Sequence, residues 1–181
     1  MTEVDQPVES LPEDQRPEHL PDYVDVVDPE PWFGLICDRF GIPRADFDDF
    51  LLHRPSKKSL NIVPADHQPP GRPEPDAIGL RFIRTAMRHP KITTAAAMAF
   101  GRRATRNAVD LTAEQIDRYA SRRRVVLSEE GAEPCTDTGY VLVGHRGVIL
   151  GVGLFFTDEV GGRLQSMYPK AWAVDPAVSI A

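Results

Sequence analysis

Residues 139–156 read GYVLVGHRGVILGVGLFF, and this stretch decides the fold class. Two apolar runs, at 140–143 and 148–156, flank a Gly-His-Arg-Gly turn, which is the pattern of a β-hairpin. Successive side chains of a strand point to opposite faces, so every second residue of the longer run is expected to face the core. These residues are Val148, Leu150, Val152, Leu154 and Phe156.

The opposite face of the longer run carries Gly151 and Gly153 between two apolar residues, Ile149 and Phe155. Glycines inside a strand allow a ligand or a packed helix to approach the backbone closely. Gly151 and Gly153 are therefore candidate binding positions, with close packing as the commoner cause of such a pattern.

Capping signals place short helices around the hairpin. Thr112 and Gln115 form a capping box, and Thr93 or Thr94 is expected to cap an alanine-rich helix. Asp28, followed by proline, marks the start of a first helix. A second short helix is predicted to carry Phe47, Phe50 and Leu51, and strands are predicted at 57–63, 79–84, 107–111 and 163–168. Short strands with glycine turns and small helices indicate an α+β fold with a small mixed β pseudobarrel.

Composition divides the chain into four parts. Residues 1–27 are acidic, hold four prolines and show no apolar period, so they are predicted to be a disordered tail. A small α/β unit is expected at 28–66 and a proline-rich linker at 67–75. The β-rich domain is expected at 76–175.

The net charge of −6 hides a strong asymmetry. Residues 1–30 carry −9, the remaining chain +3, and the window 78–124 alone +8. Such asymmetry indicates a basic surface beside an acidic segment. The segment could compete for that surface or simply aid solubility.

The strongest functional signal is the run 101–107, GRRATRN. Arg102, Arg103 and Arg106 are expected to converge on one surface, which Lys91, Arg84 and Arg88 could extend. Arginine suits phosphate because its planar fork donates two parallel hydrogen bonds. We interpret the run as a nucleic-acid contact; a solvated basic face paired with the acidic tail is the alternative. A second run, 122–124, is explained equally well by the negative end of a helix dipole.

Other functional classes lack support in the sequence. There is no nucleotide-binding loop, no metal-ligand spacing among the five histidines and no hydrolase motif, so neither a cofactor nor a metal is expected. Cys135 follows a proline, but its acidic loop is expected to raise the pKa of the thiol. No apolar run approaches the roughly 20 residues that span a bilayer, and no signal peptide is present, which favours a cytoplasmic protein.

Three motifs in order resemble one family: residues 101–111 (GRRATRNAVDL), the hairpin with its Gly-Val-Gly-Leu, and residues 165–171 (QSMYPKA). Together they resemble the C-terminal PUA-like RNA-binding region of archaeal 5-methylcytosine RNA methyltransferases of the NOL/NOP/Sun family, over about residues 78–173. Gln165 departs from the family's lysine. The family's S-adenosylmethionine site and paired catalytic cysteines need a further domain that this chain is too short to hold.

The resemblance implies a stand-alone RNA-binding protein, and not an enzyme, that contacts structured tRNA or ribosomal RNA in RNA modification or ribosome biogenesis. An archaeal origin is also implied. The residues expected at the RNA are Arg102, Arg103, Arg106, Asn107, Lys170, Lys91, Gly151 and Gly153. The alternative is an accessory module that docks on a separate RNA methyltransferase or ribosomal protein through the apolar face of the hairpin.

Overall fold

A computed structural model describes residues 8–87, 89–158 and 161–173, which form two five-stranded sheets and short helices. The first sheet is antiparallel, with the strand order β1-β2-β3-β4-β5. Its strands are β1 (Val26–Val27), β2 (Phe50–Ser56), β3 (Ser59–Pro64), β4 (Leu80–Arg84) and β5 (Lys91–Ile92). Residues 1–7, Arg88 and the predicted domain end at 174–175 lie outside the described residues.

The second sheet contains the predicted hairpin. Its strands are β6 (Ala108–Asp110), β7 (Val125–Leu127), β8 (Gly139–His145), β9 (Val148–Asp158) and β10 (Gly161–Ser166), in the order β6-β8-β9-β10-β7. Strand β6 runs parallel to β8, and the other neighbours are antiparallel. The hairpin predicted from residues 139–156 is therefore confirmed as β8 and β9.

The helices are α1 (Glu30–Phe40), α2 (Thr94–Phe100), α3 (Ala113–Ala120) and α4 (Glu129–Ala132), with 3-10 turns at Glu13–Gln15, Arg44–Phe47, Gly101–Arg103 and Lys170–Trp172. Helices α2 and α3 begin at their predicted caps, whereas α1 begins one residue later than the Asp28-Pro29 signal predicts and α4 was not predicted. The Thr112 hydroxyl accepts from the Gln115 amide, and the Gln115 side chain accepts from the Thr112 amide. The Thr93 hydroxyl caps α2 by accepting from Ala96 N–H. The α+β class expected from the sequence is confirmed.

The predicted second helix is wrong. Phe47 ends a 3-10 turn, and Phe50 and Leu51 begin strand β2. The spacing of these apolar residues is the same as that of one face of a helix. In the structure, however, β2 forms backbone hydrogen bonds with both β1 and β3. Phe47 is fully buried against Phe33, with ring centroids 4.7 Å apart.

The predicted disorder of the acidic tail is wrong for residues 8–27. Leu20, Val24 and Val26 are buried in a small cluster with Val63 and Ile78. Strand β1 pairs with β2, and Leu11 N–H donates to Val26 O, so the sheet holds both ends of this segment. These aliphatic residues are widely spaced and separated by acidic residues and prolines, so the sequence shows no apolar periodicity although the segment is ordered.

The domain boundary predicted at 67–75 is also displaced. This proline-rich stretch connects β3 to β4, which are paired neighbours in one sheet. The first sheet therefore extends to Ile92, and helix α2 leads from it into the second sheet. One apolar cluster contains Phe82 of the first sheet together with Leu142 and Val152 of the second, so both sheets share a core.

Strand β9 is covered on both faces, contrary to the predicted one-sided core. Val152 belongs to the cluster shared by the two sheets, and Phe155, on the other face, belongs to a second cluster under α3. Val148, expected in the core, is 60% exposed because it lies at the hairpin turn. Among the described residues no helix is long and apolar enough to cross a membrane.

Candidate nucleic-acid interface

A basic groove of about 580 Å³ opens between the first sheet and the segments that follow α3 and β10. Its walls carry five cationic side chains and two aromatic rings, and the described residues place no carboxylate in the lining. The cations are Arg81, Arg84, Lys91, Arg122 and Lys170, and the rings are those of Tyr168 and Trp172. We call this site the basic groove.

A bulge in β4 brings two of the arginines to the groove. Arg84 pairs with Ser59 and Ile83 with Leu60, but Arg81, and not Phe82, pairs with Asn61. Phe82 is thus an extra residue in β4, unpaired with β3. In a regular strand, Arg81 and Arg84, three positions apart, would face opposite sides of the sheet. The bulge allows Arg81 and Arg84 to line the same groove while Phe82 and Ile83 are both fully buried.

Arg122 occupies a backbone conformation that usually belongs to glycine. Its φ is 58°, in the left-handed region, just after α3. Arg122 N–H donates to Tyr119 O, and Arg123 N–H donates to Arg118 O, which together form a Schellman motif. A non-glycine residue there costs roughly 1 kcal/mol. The guanidinium donates to the carbonyl of Tyr168 and thereby fixes the opposite wall of the groove.

The aromatic wall is built on the core of the second sheet. The Tyr168 ring meets the buried Tyr119 ring edge to face, with centroids 5.4 Å apart, and Trp172 meets Tyr168 at 6.2 Å. Trp172 remains 52% exposed, so part of its face is available to a ligand. Aromatic faces beside cations are the arrangement that binds unstacked bases and phosphates together.

The electrostatics of the groove favour an anion. Burial lowers the pKa of Lys91, and the nearby positive charges of Arg84 and Arg122 lower it further. Cations that depress one another in this way are stabilised when a phosphate enters between them. Asn61, 5% exposed, also lines the groove; its Nδ2 donates to Ile78 O over 2.7 Å, whereas its buried Oδ1 has no partner among the described residues.

The arginine run predicted as the primary contact lies at the opposite end of α2 from the basic groove. Thr93, which caps α2, lines the groove, whereas Arg102 and Arg103 follow its last residue. Arg103 forms an ion pair with Asp46. Arg102 and Arg106 are exposed and make no ion pair with the described residues. The run is thus on the surface, and its role in binding stays a prediction.

Lys91 and Lys170, predicted separately from the sequence, meet in the basic groove, as does Arg84. Sequence reasoning missed Arg81, Tyr168 and Trp172 as functional residues and explained Arg122 equally well by the helix dipole. One available signal is that residues 77–109 contain no acidic side chain although they hold seven arginines and lysines.

Asn107 serves the fold, which corrects its predicted role at the RNA. It is 1% exposed and has a φ of 51°. Its Nδ2 donates to Arg39 O over 2.7 Å, and its Oδ1 accepts from Thr136 N–H over 3.0 Å. The side chain therefore ties the start of β6 to α1 and to the loop before β8, and it is not accessible to a ligand.

The predicted close-approach surface at Gly151 and Gly153 is filled by the protein itself. A Cβ at Gly151 would lie 2.7 Å from the Tyr119 hydroxyl oxygen, and one at Gly153 would collide with Leu164. Close packing, the alternative reading of the pattern, explains both glycines. The same packing covers the hairpin face on which a partner protein was expected to dock.

The two cysteines show no sign of activation. Burial raises the pKa of Cys135 to about 11 and also raises the pKa of Cys37. A nucleophilic cysteine needs a lowered pKa. The described part of the chain also contains no group of three or more side chains that could hold a metal ion.

Comparison with known families agrees with this geometry. Residues 106–174 match the family model described as the methyltransferase RsmF PUA domain. This segment is therefore similar to the PUA domain of RsmF-type methyltransferases. It contains β6 to β10, α3 and the 3-10 turn with Lys170, so the pseudobarrel expected from the sequence is confirmed, and the likeness to the Sun and RsmF methyltransferases is supported. No curated protein matches the sequence.

The PUA domain supplies only one wall of the basic groove. Arg122, Tyr168 and Lys170 belong to the matched segment, whereas Arg84 and Lys91 come from the first sheet, before it. The likeness of residues 106–174 to a methyltransferase PUA domain supports an association with RNA binding and RNA modification. The groove thus combines the PUA domain with an additional cationic wall.

Proposed function

We propose that the protein binds RNA in the basic groove, with phosphates on its cations and an unpaired base against Trp172. The observation that carries this proposal is the convergence of five cations and an exposed aromatic ring in one groove whose described lining lacks carboxylates. Phosphate contacts supply affinity and position the RNA, while stacking favours unpaired nucleotides.

The RNA is a structured one, a tRNA or a ribosomal RNA, that presents an unpaired segment. The RsmF-type PUA domain supports a role beside RNA modification, and ribosome biogenesis in the cytoplasm is the setting that we propose. In this proposal the chain binds RNA without catalysing a reaction, and the raised pKa of each cysteine gives no support to a nucleophilic role. A separate RNA-modifying enzyme would act as its partner.

Fluorescence anisotropy of a labelled tRNA across a salt series tests the proposal. Each phosphate contact contributes about −0.7 to the slope of log K against log salt for a single strand, so three to five contacts give about −2 to −3.5. No binding at the lowest salt that keeps the protein folded would overturn the proposal. A flat salt dependence would exclude the cationic groove as the site.

The strained residue at the groove offers a variant that separates binding from stability. Arg122→Gly relieves the strain of the left-handed conformation but loses the hydrogen bond to the Tyr168 carbonyl, so the two effects offset and the free energy of unfolding should change by less than about 1 kcal/mol. RNA affinity should fall about tenfold, because one charge-assisted contact is lost. Thermal melts and anisotropy on the same samples measure both effects.

Arg122→Lys is the matched control for Arg122→Gly. It retains the charge and the strained backbone, so its stability should stay near that of the native protein. Its RNA affinity should lie between that of the native protein and that of Arg122→Gly. An Arg122→Gly protein that is less stable and binds RNA normally would show that the residue serves only the fold.

A further inference from the structure

An uncharged face of α2 joins the basic groove to the arginine run. Ala95, Met98, Ala99 and Arg102 follow the spacing i, i+3, i+4, i+7, which places them along one face of the helix and its continuing 3-10 turn. Ala95 lines the groove, Met98 is 48% exposed, and Arg102 is exposed beyond the helix end. The opposite face, with Ala96 and Ala97, is fully buried.

The charge along this path has a single sign. Residues 77–109 contain no aspartate or glutamate, so the sequence provides no carboxylate on α2 or on the turn after it. Arg103 is held by Asp46, whereas Arg102 makes no ion pair with the described residues. A polyanion that leaves the groove over α2 therefore meets no carboxylate of this segment before it reaches a free guanidinium.

We propose that bound RNA continues from the basic groove across the exposed face of α2 to Arg102. This inference rests on the proposed function and adds the length and form of the ligand. Helix α2 has seven residues and is about 10 Å long, which matches about three stacked nucleotides. The ligand is thus an RNA whose single-stranded segment extends beyond the groove. Asn61, whose buried Oδ1 has no hydrogen-bond partner among the described residues, lines the groove at the end from which this path starts.

The decisive variant changes a residue that carries no charge. Met98→Glu places a carboxylate on the path without removing any cation, and Met98→Gln is its neutral control. Val126→Glu adds the same charge to the exposed side of β7, outside the path, where the native side chain is 65% exposed. Binding of a single-stranded tetranucleotide and a decanucleotide RNA is measured for each variant, at physiological salt so that distant charges are screened within about 8 Å.

We expect Met98→Glu to weaken the decanucleotide about tenfold and the tetranucleotide less than about twofold. Arg102→Ala should lower the salt slope for the decanucleotide by about 0.7 and leave that of the tetranucleotide unchanged. If Met98→Glu and Val126→Glu weaken decanucleotide binding equally, RNA does not cross the exposed face of α2. That result would leave the proposed binding of RNA in the basic groove unaffected. Failure of both oligonucleotides and of the labelled tRNA to bind the native protein would instead overturn the proposed function.

Discussion

Reversing two charges in the basic groove, Arg84→Glu with Lys170→Glu, is expected to lower RNA affinity about a hundredfold. Each charge-assisted contact with a phosphate contributes about 1.5 kcal/mol, which corresponds to about tenfold in affinity, and the new carboxylates add repulsion. Both native side chains are exposed and make no ion pair with the described residues, so the fold should persist. Anisotropy with labelled tRNA measures the loss, and circular dichroism checks the fold.

The matched control is Arg124→Glu with Arg163→Glu. It changes the net charge by the same amount, but these arginines line a separate depression with Phe156 and Gln165. Because Arg163 also pairs with Asp158, circular dichroism checks the fold of this variant as well. Long-range electrostatics should then reduce affinity by less than about threefold at physiological salt. If the control weakens binding as much as the groove variant, RNA binding depends on net charge and not on the groove.

Asn107→Ala is expected to lower the free energy of unfolding by about 3 kcal/mol. It removes the bonds that satisfy Arg39 O and Thr136 N–H, each of which costs about 1 kcal/mol or more when left unpaired. It also puts alanine in the left-handed region, at about 1 kcal/mol. For a chain of this size the melting temperature should fall by about 10 °C, which differential scanning calorimetry measures directly.

Asn107→Gly separates the two contributions, because glycine adopts the left-handed conformation freely and loses only the hydrogen bonds. Its loss of stability should therefore be smaller than that of Asn107→Ala. RNA affinity, measured well below the melting temperature, should be unchanged in both variants. An Asn107→Ala protein of normal stability that no longer binds RNA would show instead that Asn107 contacts the ligand.

Features with local causes were predictable from the sequence. The Thr112 capping box requires only its own four residues, and the hairpin at 139–156 requires only alternation and a glycine turn. Strand β2 was not predictable in this way, because Phe47, Phe50 and Leu51 have helical spacing and it is pairing with the following strand, β3, that makes the last two extended. Pairing energy of that kind is not visible in a local window.

The site was predictable only in part, for a related reason. Lys91 and Lys170 were identified from charge and from a motif, but nothing local shows that they share a groove. The bulge that turns Arg81 and Arg84 to one side arises from the register of β4 on β3, and the position of Arg122 depends on how α3 ends. Asn107 was misassigned because a polar residue in a basic run suggests a ligand, whereas its burial depends on the tertiary fold.

The core that runs through both sheets couples the groove to the folding of the whole chain. Phe82 and Val152 belong to one apolar cluster, so opening either sheet exposes the apolar surface of the other. The walls of the groove come from the first sheet and from the segments that follow α3 and β10, and they exist together only in the native state. A polyanion that binds only the native state therefore stabilises the whole fold by mass action. Because the two sheets unfold in a single cooperative transition, its binding free energy also stabilises strands that it does not contact.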